Sequence, residues 1–569
     1  MTNDGRLPVS LPKPCGRRIG FAQMRRVRKI ATSRPMRSIL DLPIGTIAQV
    51  NDMGIPLATS RRGNPKALVL AIVTFAALSI VNYELFYVGF LSSDDAIYVH
   101  SARSLAAPGH YLPTQHWGFR YTVLLPIAGL EAMLADPKEP AYSLIPLSFA
   151  LALGIATVAF AWATIGGRAS IATALLMSTM PLAVVLSSMI NADSVETLCL
   201  FLSLALFFFA ARRETSGRRA WLFLSGTALG LAMLTRETAY GFLLIYGTLF
   251  LFGAYFPRKN YLWLAAGVVL VAASEMGYYV ALGESPLYRF LSIAQSHGTV
   301  GLTTLDFQTG TGNLSHNRFL GPIVALLANQ EFGILFPVAA VALVWIRIER
   351  CPTAADNAIL GLTLFAALVF FLWLGYSGAI RPLPRYFLLL AVLAVIWISL
   401  WFQRTRFGSW GMLALIGLVA TNYVALSVEN IHPRFASNKV AELAMSTTEP
   451  VMTDAQTASR ARQYAGLLRN PAATRIVSEL PQQTPFTLVQ VAGQEVADPR
   501  LAAELSAAKT RGALLFVEEI QPPRLPIGQV LDRTGVGSLL TAEQYRWLAI
   551  RNPKLSIFRV LEMPPSAPK

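Results

Sequence analysis

The sequence predicts an α-helical polytopic membrane protein with a small α/β domain at its C-terminal end. Three observations carry this. Of 569 residues, 54% are hydrophobic and only 14% charged, whereas soluble domains carry about 25% charged residues. Long apolar runs recur between residues 67 and 427, with the charges confined to the gaps. From residue 428 onward the composition becomes that of a soluble fold. Together they exclude a simple soluble enzyme, a disordered chain and a fibrous protein.

Residues 1–66 form the first predicted region, a basic, Gly- and Pro-containing tail expected to be disordered and cytoplasmic. It has no apolar core of signal-peptide type, and Met36 and Met53 are alternative candidate start codons. The formal charge of +16 would suit nucleic acid, but its placement argues otherwise. The tail holds 13 Lys/Arg against 3 Asp/Glu, whereas residues 428–569 hold 16 against 13. A basic excess ahead of the first span is what the positive-inside rule expects, so no nucleic-acid partner is predicted.

The second region, 67–427, is read as the transmembrane domain. Apolar segments lie near 67–90, 121–134, 141–163, 170–190, 195–211, 220–235, 239–256, 261–282, 319–347, 357–376, 386–402 and 409–427. The basic stretches at 212–219, 258–259, 347–350 and 404–406 all fall on one side when counted from the first of them. That side is expected to be cytoplasmic, which places 91–120 and 283–318 outside. An odd number of spans must then separate 91–120 from 212–219, yet four apolar segments lie between them. The segment 121–134 is too short to cross and is predicted to be interfacial or re-entrant. The result is 11 spans, within bounds of 11 to 13, with the N-terminus inside and the C-terminus outside.

Cys15, Cys199 and Cys351 suggest neither a disulfide framework nor a metal knuckle. The third region, 428–569, is expected to be an external α/β domain. In it, 450–454 reads as a short strand entering a turn, 459–469 and 498–509 as helices, and 486–491 and 513–517 as buried strands.

The acidic pair Asp94-Asp95 directly follows the first span. Asp94 suits a helix cap, yet two carboxylates close to lipid are costly enough to suggest function. They fit a general base for an acceptor hydroxyl, or ligands to a divalent metal that steadies a phosphate. His116 and Arg120 flank an aromatic turn before the next apolar stretch, where Arg120 suits either an interface anchor or an anion site. Asp193 lies at an external turn and Glu196 one helical turn inside an apolar run. Arg236 and Glu237 break two short spans and suit a mutual ion pair or exposure to water. Glu275 sits within an apolar run, and Arg381 and Arg385 bracket a Pro-stiffened turn whose guanidinium groups suit phosphate or lipid headgroups.

In order, the acidic pair after span one, Tyr and Ala in the following helix, Arg120, Asp193, Leu234-Thr235-Arg236-Glu237, the stretch from Glu275 to Arg289, and Arg385-Tyr386 resemble the GT-C fold integral-membrane glycosyltransferases. The likeness is to the bacterial branch related to protein O-mannosyltransferases and to the aminoarabinose and galacturonic-acid transferases of lipopolysaccharide, and it covers roughly residues 67–427. It implies transfer of a sugar from a polyprenyl-phosphate carrier to a lipid, glycan or protein acceptor at the outer face of a bacterial inner membrane. It implies Asp94 as the catalytic residue with Asp95 second, where the family often has Glu. It also implies Arg120, Arg236, Arg381 and Arg385 as candidates for the carrier phosphate; His116, Asp193, Glu196 and Glu237 complete the candidate substrate-binding set. The acidic pair itself, Asp94 and Asp95, offers ligands for a divalent metal as the one cofactor expectation beside the polyprenyl-phosphate sugar. The rival expectations are a secondary transporter using Glu196, Glu237 and Glu275 as a path, and a noncatalytic membrane partner in cell-envelope assembly.

Overall fold

The computed structural model describes residues 64–134, 137–212, 215–299, 320–348, 353–377, 383–404, 408–481, 484–493 and 499–562. The expectations for the basic tail, Cys15, Cys351 and Arg381 lie outside these residues.

The first helix, α1 (Pro65–Leu85), starts where Asn64 accepts the Lys66 N–H at 3.0 Å and Pro65 occupies the first turn, a position where its missing N–H costs nothing. Two short helices follow, α2 (Asp94–Ala106) and α3 (Tyr121–Met133). Next come α4 (Glu139–Thr164), α5 (Gly167–Thr179) and α6 (Pro181–Leu186). The predicted segment 170–190 is therefore broken. Pro181 cannot donate a helical hydrogen bond, so the helix stops at Thr179 and restarts at Pro181.

The chain continues through α7 (Asp193–Ala211), α8 (Thr215–Thr235), α9 (Gly241–Phe252), α10 (Tyr261–Ala281) and α11 (Tyr288–Thr299). Gly226 of α8 and Gly267 of α10 face one another. A Cβ on Gly226 would stand 1.9 Å from the Leu264 carbonyl oxygen, so glycine is what allows these two backbones to touch. Then come α12 (Gly321–Leu327), α13 (Leu335–Ile348), α14 (Ala354–Tyr376), α15 (Leu388–Arg404) and α16 (Gly408–Ser427). The expected segment 319–347 is thus two helices, α12 and α13, with a turn between them.

The helix ends form two layers. In the first, Trp162 donates to the Asn64 carbonyl at 3.4 Å, Arg212 to the Ala163 carbonyl at 3.4 Å, and Arg404 pairs with Asp356 at 2.7 Å. In the second, Phe90 N–H donates to Glu139 at 3.0 Å, Leu182 N–H to the Glu331 carbonyl at 3.0 Å, and Trp373 to the Thr238 carbonyl at 3.0 Å. Among the described residues the chain makes eleven passages between these layers, by α1, α4, α5 with α6, α7, α8, α9, α10, α13, α14, α15 and α16. Six helices are long and apolar enough to cross a membrane on length and composition alone. The short α3 makes no passage. Near its start Thr122 bonds Thr235 at 2.6 Å, and near its end Glu131 bonds Arg103 at 2.7 Å, both in the second layer. The parity argument from charge had removed this same segment.

Beyond α16 lie α17 (Phe435–Ser446), β1 (Val451–Met452), α18 (Ala455–Leu467), β2 (Ile476–Val477), β3 (Phe486–Val491), α19 (Pro499–Thr510), β4 (Leu514–Ile520), α20 (Pro526–Thr534), α21 (Ala542–Ala549) and β5 (Leu555–Val560). They build a mixed five-stranded sheet ordered β2-β1-β3-β5-β4, with β1 parallel to β2 and β3, and β5 antiparallel to β3 and β4. Asp454 caps α18 by accepting the Thr457 N–H at 2.9 Å, the strand-to-turn expected at 450–454. The strand expected at 513–517 exists but is not buried. It is the sheet edge, paired only with β5, and Leu515, Phe516 and Val517 are exposed.

Candidate active site

A cavity opens in the second layer where α2, α7, α8 and the turn before α15 meet. Its charged and phenolic lining is Asp94, Asp95, Tyr98, Arg120, Asp193, Arg236 and Arg385, gathered from positions nearly three hundred residues apart.

Asp94 is the first residue of α2, not its cap; that position falls to Ser93, whose side chain makes no capping bond. The Asp94 carboxylate instead meets Arg385 at 3.2 Å, with both side chains about one-third exposed. Asp95 points the other way and is buried. Its carboxylate accepts the N–H groups of Leu91 at 2.6 Å, Ser92 at 3.2 Å and Ser93 at 2.7 Å. Burial pushes its carboxyl above the usual carboxylate range, against the opposing pull of those N–H groups. The adjacent acids therefore have different roles: one faces the cavity, and the other fixes the loop that presents it.

Asp193 is likewise no cap. Ala192 is the N-cap residue of α7, and Asn191 accepts the Ser194 N–H at 2.9 Å. Asp193 is free to form a short ion pair with Arg236, and its second oxygen lies 3.8 Å from Arg385 Nε. Arg236 does not pair with Glu237. It turns toward Asp193 and stacks 3.7 Å over the Tyr386 ring, and Glu237 turns away to Arg289 at 3.1 Å. Arg120 is 5% exposed and donates to the Tyr98 hydroxyl.

Among the described residues, the Nε of Arg120 and the Nε of Arg385 are buried without a hydrogen-bond partner, the latter 3.8 Å from an Asp193 oxygen. Buried polar groups are rarely left unpaired. Two such guanidinium donors in one polar cavity suit an incoming anion.

The remaining candidates lie outside the lining. His116 stacks on Trp117, with ring centroids 3.6 Å apart. Glu196 is buried behind the cavity and accepts the Thr238 hydroxyl. Glu237 and Glu275 both clamp Arg289, at 3.1 and 3.4 Å, so the acids expected to mark a transport path are held by fixed partners. A divalent metal does not suit this donor set. Asp95 is committed to backbone N–H groups and Asp94 and Asp193 to arginines; among the described residues no three His, Cys, Asp or Glu side chains cluster as ligands. Tyr98 and Tyr386 enter the sequence reading only as part of the family resemblance, without a role of their own; in the fold Tyr98, four positions after Asp94 on the same helix face, joins the lining, and Tyr386 lies under Arg236.

Comparison with known proteins places this geometry in a fold. Residues 132–279 match the family described as Dolichyl-phosphate-mannose-protein mannosyltransferase. That match includes Asp193 and Arg236 but not Asp94 or Arg120. No curated protein sequence matches the chain. Among solved structures, the chain is similar to ArnT from Cupriavidus metallidurans in the apo state, with TM-score 0.52 and 14% identity over 86% of this chain and 97% of that one. The same protein bound to undecaprenyl phosphate gives TM-score 0.50 at 14% identity over the same shares. The Archaeoglobus fulgidus oligosaccharyltransferase aligns over 75% of this chain and 68% of that one, at 13% identity and TM-score 0.48. The chain is a polytopic membrane protein with the GT-C glycosyltransferase fold.

Proposed function

We propose that the protein transfers a sugar from a polyprenyl-phosphate-linked donor to an acceptor hydroxyl of a lipid, glycan or protein at the outer face of a bacterial inner membrane, with the C-terminal region external. The observation that carries this reading is the meeting of Asp94, Asp193, Arg120, Arg236 and Arg385 in one cavity where the apolar helices end. A donor with an apolar carrier, a phosphate and a sugar has a counterpart for each feature. The helices accommodate the carrier, the orphaned guanidinium donors take the phosphate oxygens, and a carboxylate stands beside them for the hydroxyl proton. The undecaprenyl phosphate held by the similar ArnT structure supports this choice of carrier.

Arg385 links the two halves of the mechanism. It pairs with Asp94 at 3.2 Å before the donor arrives. A phosphate entering the cavity competes for that guanidinium, and Asp94 is released as a base. The acceptor oxygen attacks the anomeric carbon as Asp94 takes its proton. The sugar–phosphate bond breaks, and the electron pair leaves on the phosphate, which Arg120, Arg236 and Arg385 stabilise. Asp193 keeps Arg236 oriented throughout.

Purified protein is incubated with polyprenyl-phosphate-linked sugars and candidate acceptors, and the acceptor is weighed by mass spectrometry. A mass gain of one sugar residue with release of polyprenyl phosphate is expected. Carrier-independent modification, or no turnover with any lipid-linked sugar, contradicts the proposal.

A further inference from the structure

The loop that presents Asp94 is held from the C-terminal region as well as from the helices. Its N–H groups are taken by Ser188 for Val88, by Glu139 for Phe90 and by Asp95 for Leu91, Ser92 and Ser93. Ser92 has φ of 50°, the left-handed region that a residue with a Cβ occupies only when its surroundings force it. The carbonyl of Leu91, one residue before Ser92, accepts the Nε–H of Arg434 at 2.7 Å. Arg434 precedes α17 and interacts electrostatically with Asp95.

This contact is part of a larger junction. Leu467 of α18 is buried in the cluster that also contains Tyr98, Val99 and Ala102 of α2. Arg103 of α2 donates to the carbonyls of Leu467 at 2.7 Å and Gly466 at 3.1 Å. Tyr464 donates to Glu139 at 3.2 Å, the same glutamate that receives the Phe90 N–H.

We infer that Arg434 is a positioning residue for Asp94, which makes the C-terminal region a working part of the active site and not an appended domain. The inference rests on the proposed role of Asp94. Arg434 holds the carbonyl side of the strained turn while Asp95 holds its N–H side. Without the guanidinium, Ser92 relaxes to an ordinary backbone conformation and Asp94 leaves its place against the cavity.

The test measures sugar transfer by full-length Arg434→Ala, Arg434→Lys, Asp94→Asn and Arg559→Gln proteins, with melting temperature in the same detergent. Arg559 pairs with Glu449 on the sheet, far in sequence from the loop, and serves as the control. Displacing a reacting group by about 1 Å costs on the order of 100-fold, so kcat of Arg434→Ala should fall about 10- to 100-fold with KM for the lipid-linked sugar unchanged. Added guanidinium ion should restore part of that loss, and Arg434→Lys, which keeps a charged donor, should fall between the parent and the alanine variant. If Arg434→Ala does not fold, the lysine variant is decisive. Parental kcat in Arg434→Ala, or in Arg434→Lys where alanine does not fold, overturns the inference. So does a fall in carrier affinity equal to the fall in kcat. If Asp94→Asn is itself fully active, the proposed function fails instead.

Discussion

Two neighbouring cavities use the same residue types to opposite ends. In the first, Arg120, Arg236 and Arg385 face Asp94 and Asp193, since Asp95 is turned into its own loop. Three guanidinium groups line it against two facing carboxylates, and among the described residues two guanidinium Nε atoms lack a hydrogen-bond partner. In the second, between α8, α10 and α11, Arg289 and Glu275 line the wall as a pair, and Glu237, outside that lining, holds Arg289 from the other side. There the one guanidinium is closed by two carboxylates, and apolar side chains such as Val271 and Met276 complete the wall. Arg236 lines the first cavity, whereas its sequence neighbour Glu237 lines neither and closes Arg289 of the second. The count of charged residues is therefore a poor guide to function; which pairs are closed and which are left open decides where an anion goes.

Breaking the two pairs should separate the cavities. Asp193→Ala leaves Arg236 buried without its partner, and removing one member of such a pair costs about 3–5 kcal/mol. A large drop in melting temperature and loss of transfer are expected together. Glu237→Gln leaves Arg289 still paired with Glu275, so its melting temperature should fall much less. Equal destabilisation by the two would erase the distinction drawn between the cavities.

A finer contrast concerns the fork of the guanidinium. Arg385→Lys keeps the charge but loses the planar pair of donors, and transfer should fall by about 10- to 100-fold through weaker phosphate contact, each 1.4 kcal/mol being tenfold. Matching turnover and carrier affinity in the lysine variant would reduce Arg385 to an anchor at the membrane interface.

The smallest expected effect lies at the rim. Glu331, in the turn before α13, has a buried Oε2 that finds no hydrogen-bond partner among the described residues. Burial first, then the nearby Glu429 and Asp193, push its carboxyl up to about 7, while Arg385 pulls the other way. A carboxyl that is weaker folded than unfolded binds more protons in the native state. Its contribution is favourable below the ordinary value of 4.5 and is lost as pH rises toward 7. Glu331→Gln should therefore melt a few degrees higher than the parent at pH 8 and at nearly the same temperature at pH 4. A stabilisation that is the same at both pH values would show that ionisation plays no part.

Much of the fold was legible because hydropathy and charge act locally. Parity together with its short length marks 121–134 as non-crossing, and both ends of α3 do lie in one layer. Single breaks were harder. The helix stop before Pro181 is a one-residue effect within an otherwise apolar run. The exposure of β4 followed from its edge position, which its own apolar sequence does not reveal. At the site, residue types pointed to Asp94, Asp193, Arg120, Arg236 and Arg385, but not to their pairing. Arg236 and Glu237 looked like partners, and only the fold sends one to Asp193 and the other to Arg289. Arg434 was invisible, because its role depends on a contact with Leu91 across more than three hundred residues.

The central claim is that donor phosphate and Asp94 share Arg385, and that Asp94 acts as the base. Asp94→Asn tests it most directly when transfer and polyprenyl-phosphate binding are measured on the same preparation. Loss of a general base alone lowers the rate by about 10²–10⁴-fold. Removing the competing carboxylate should leave carrier binding as tight as in the parent, or tighter. Lost transfer with retained or strengthened binding is the result this mechanism predicts. Undiminished transfer by a stable Asp94→Asn protein, or carrier binding that weakens along with transfer, would contradict it.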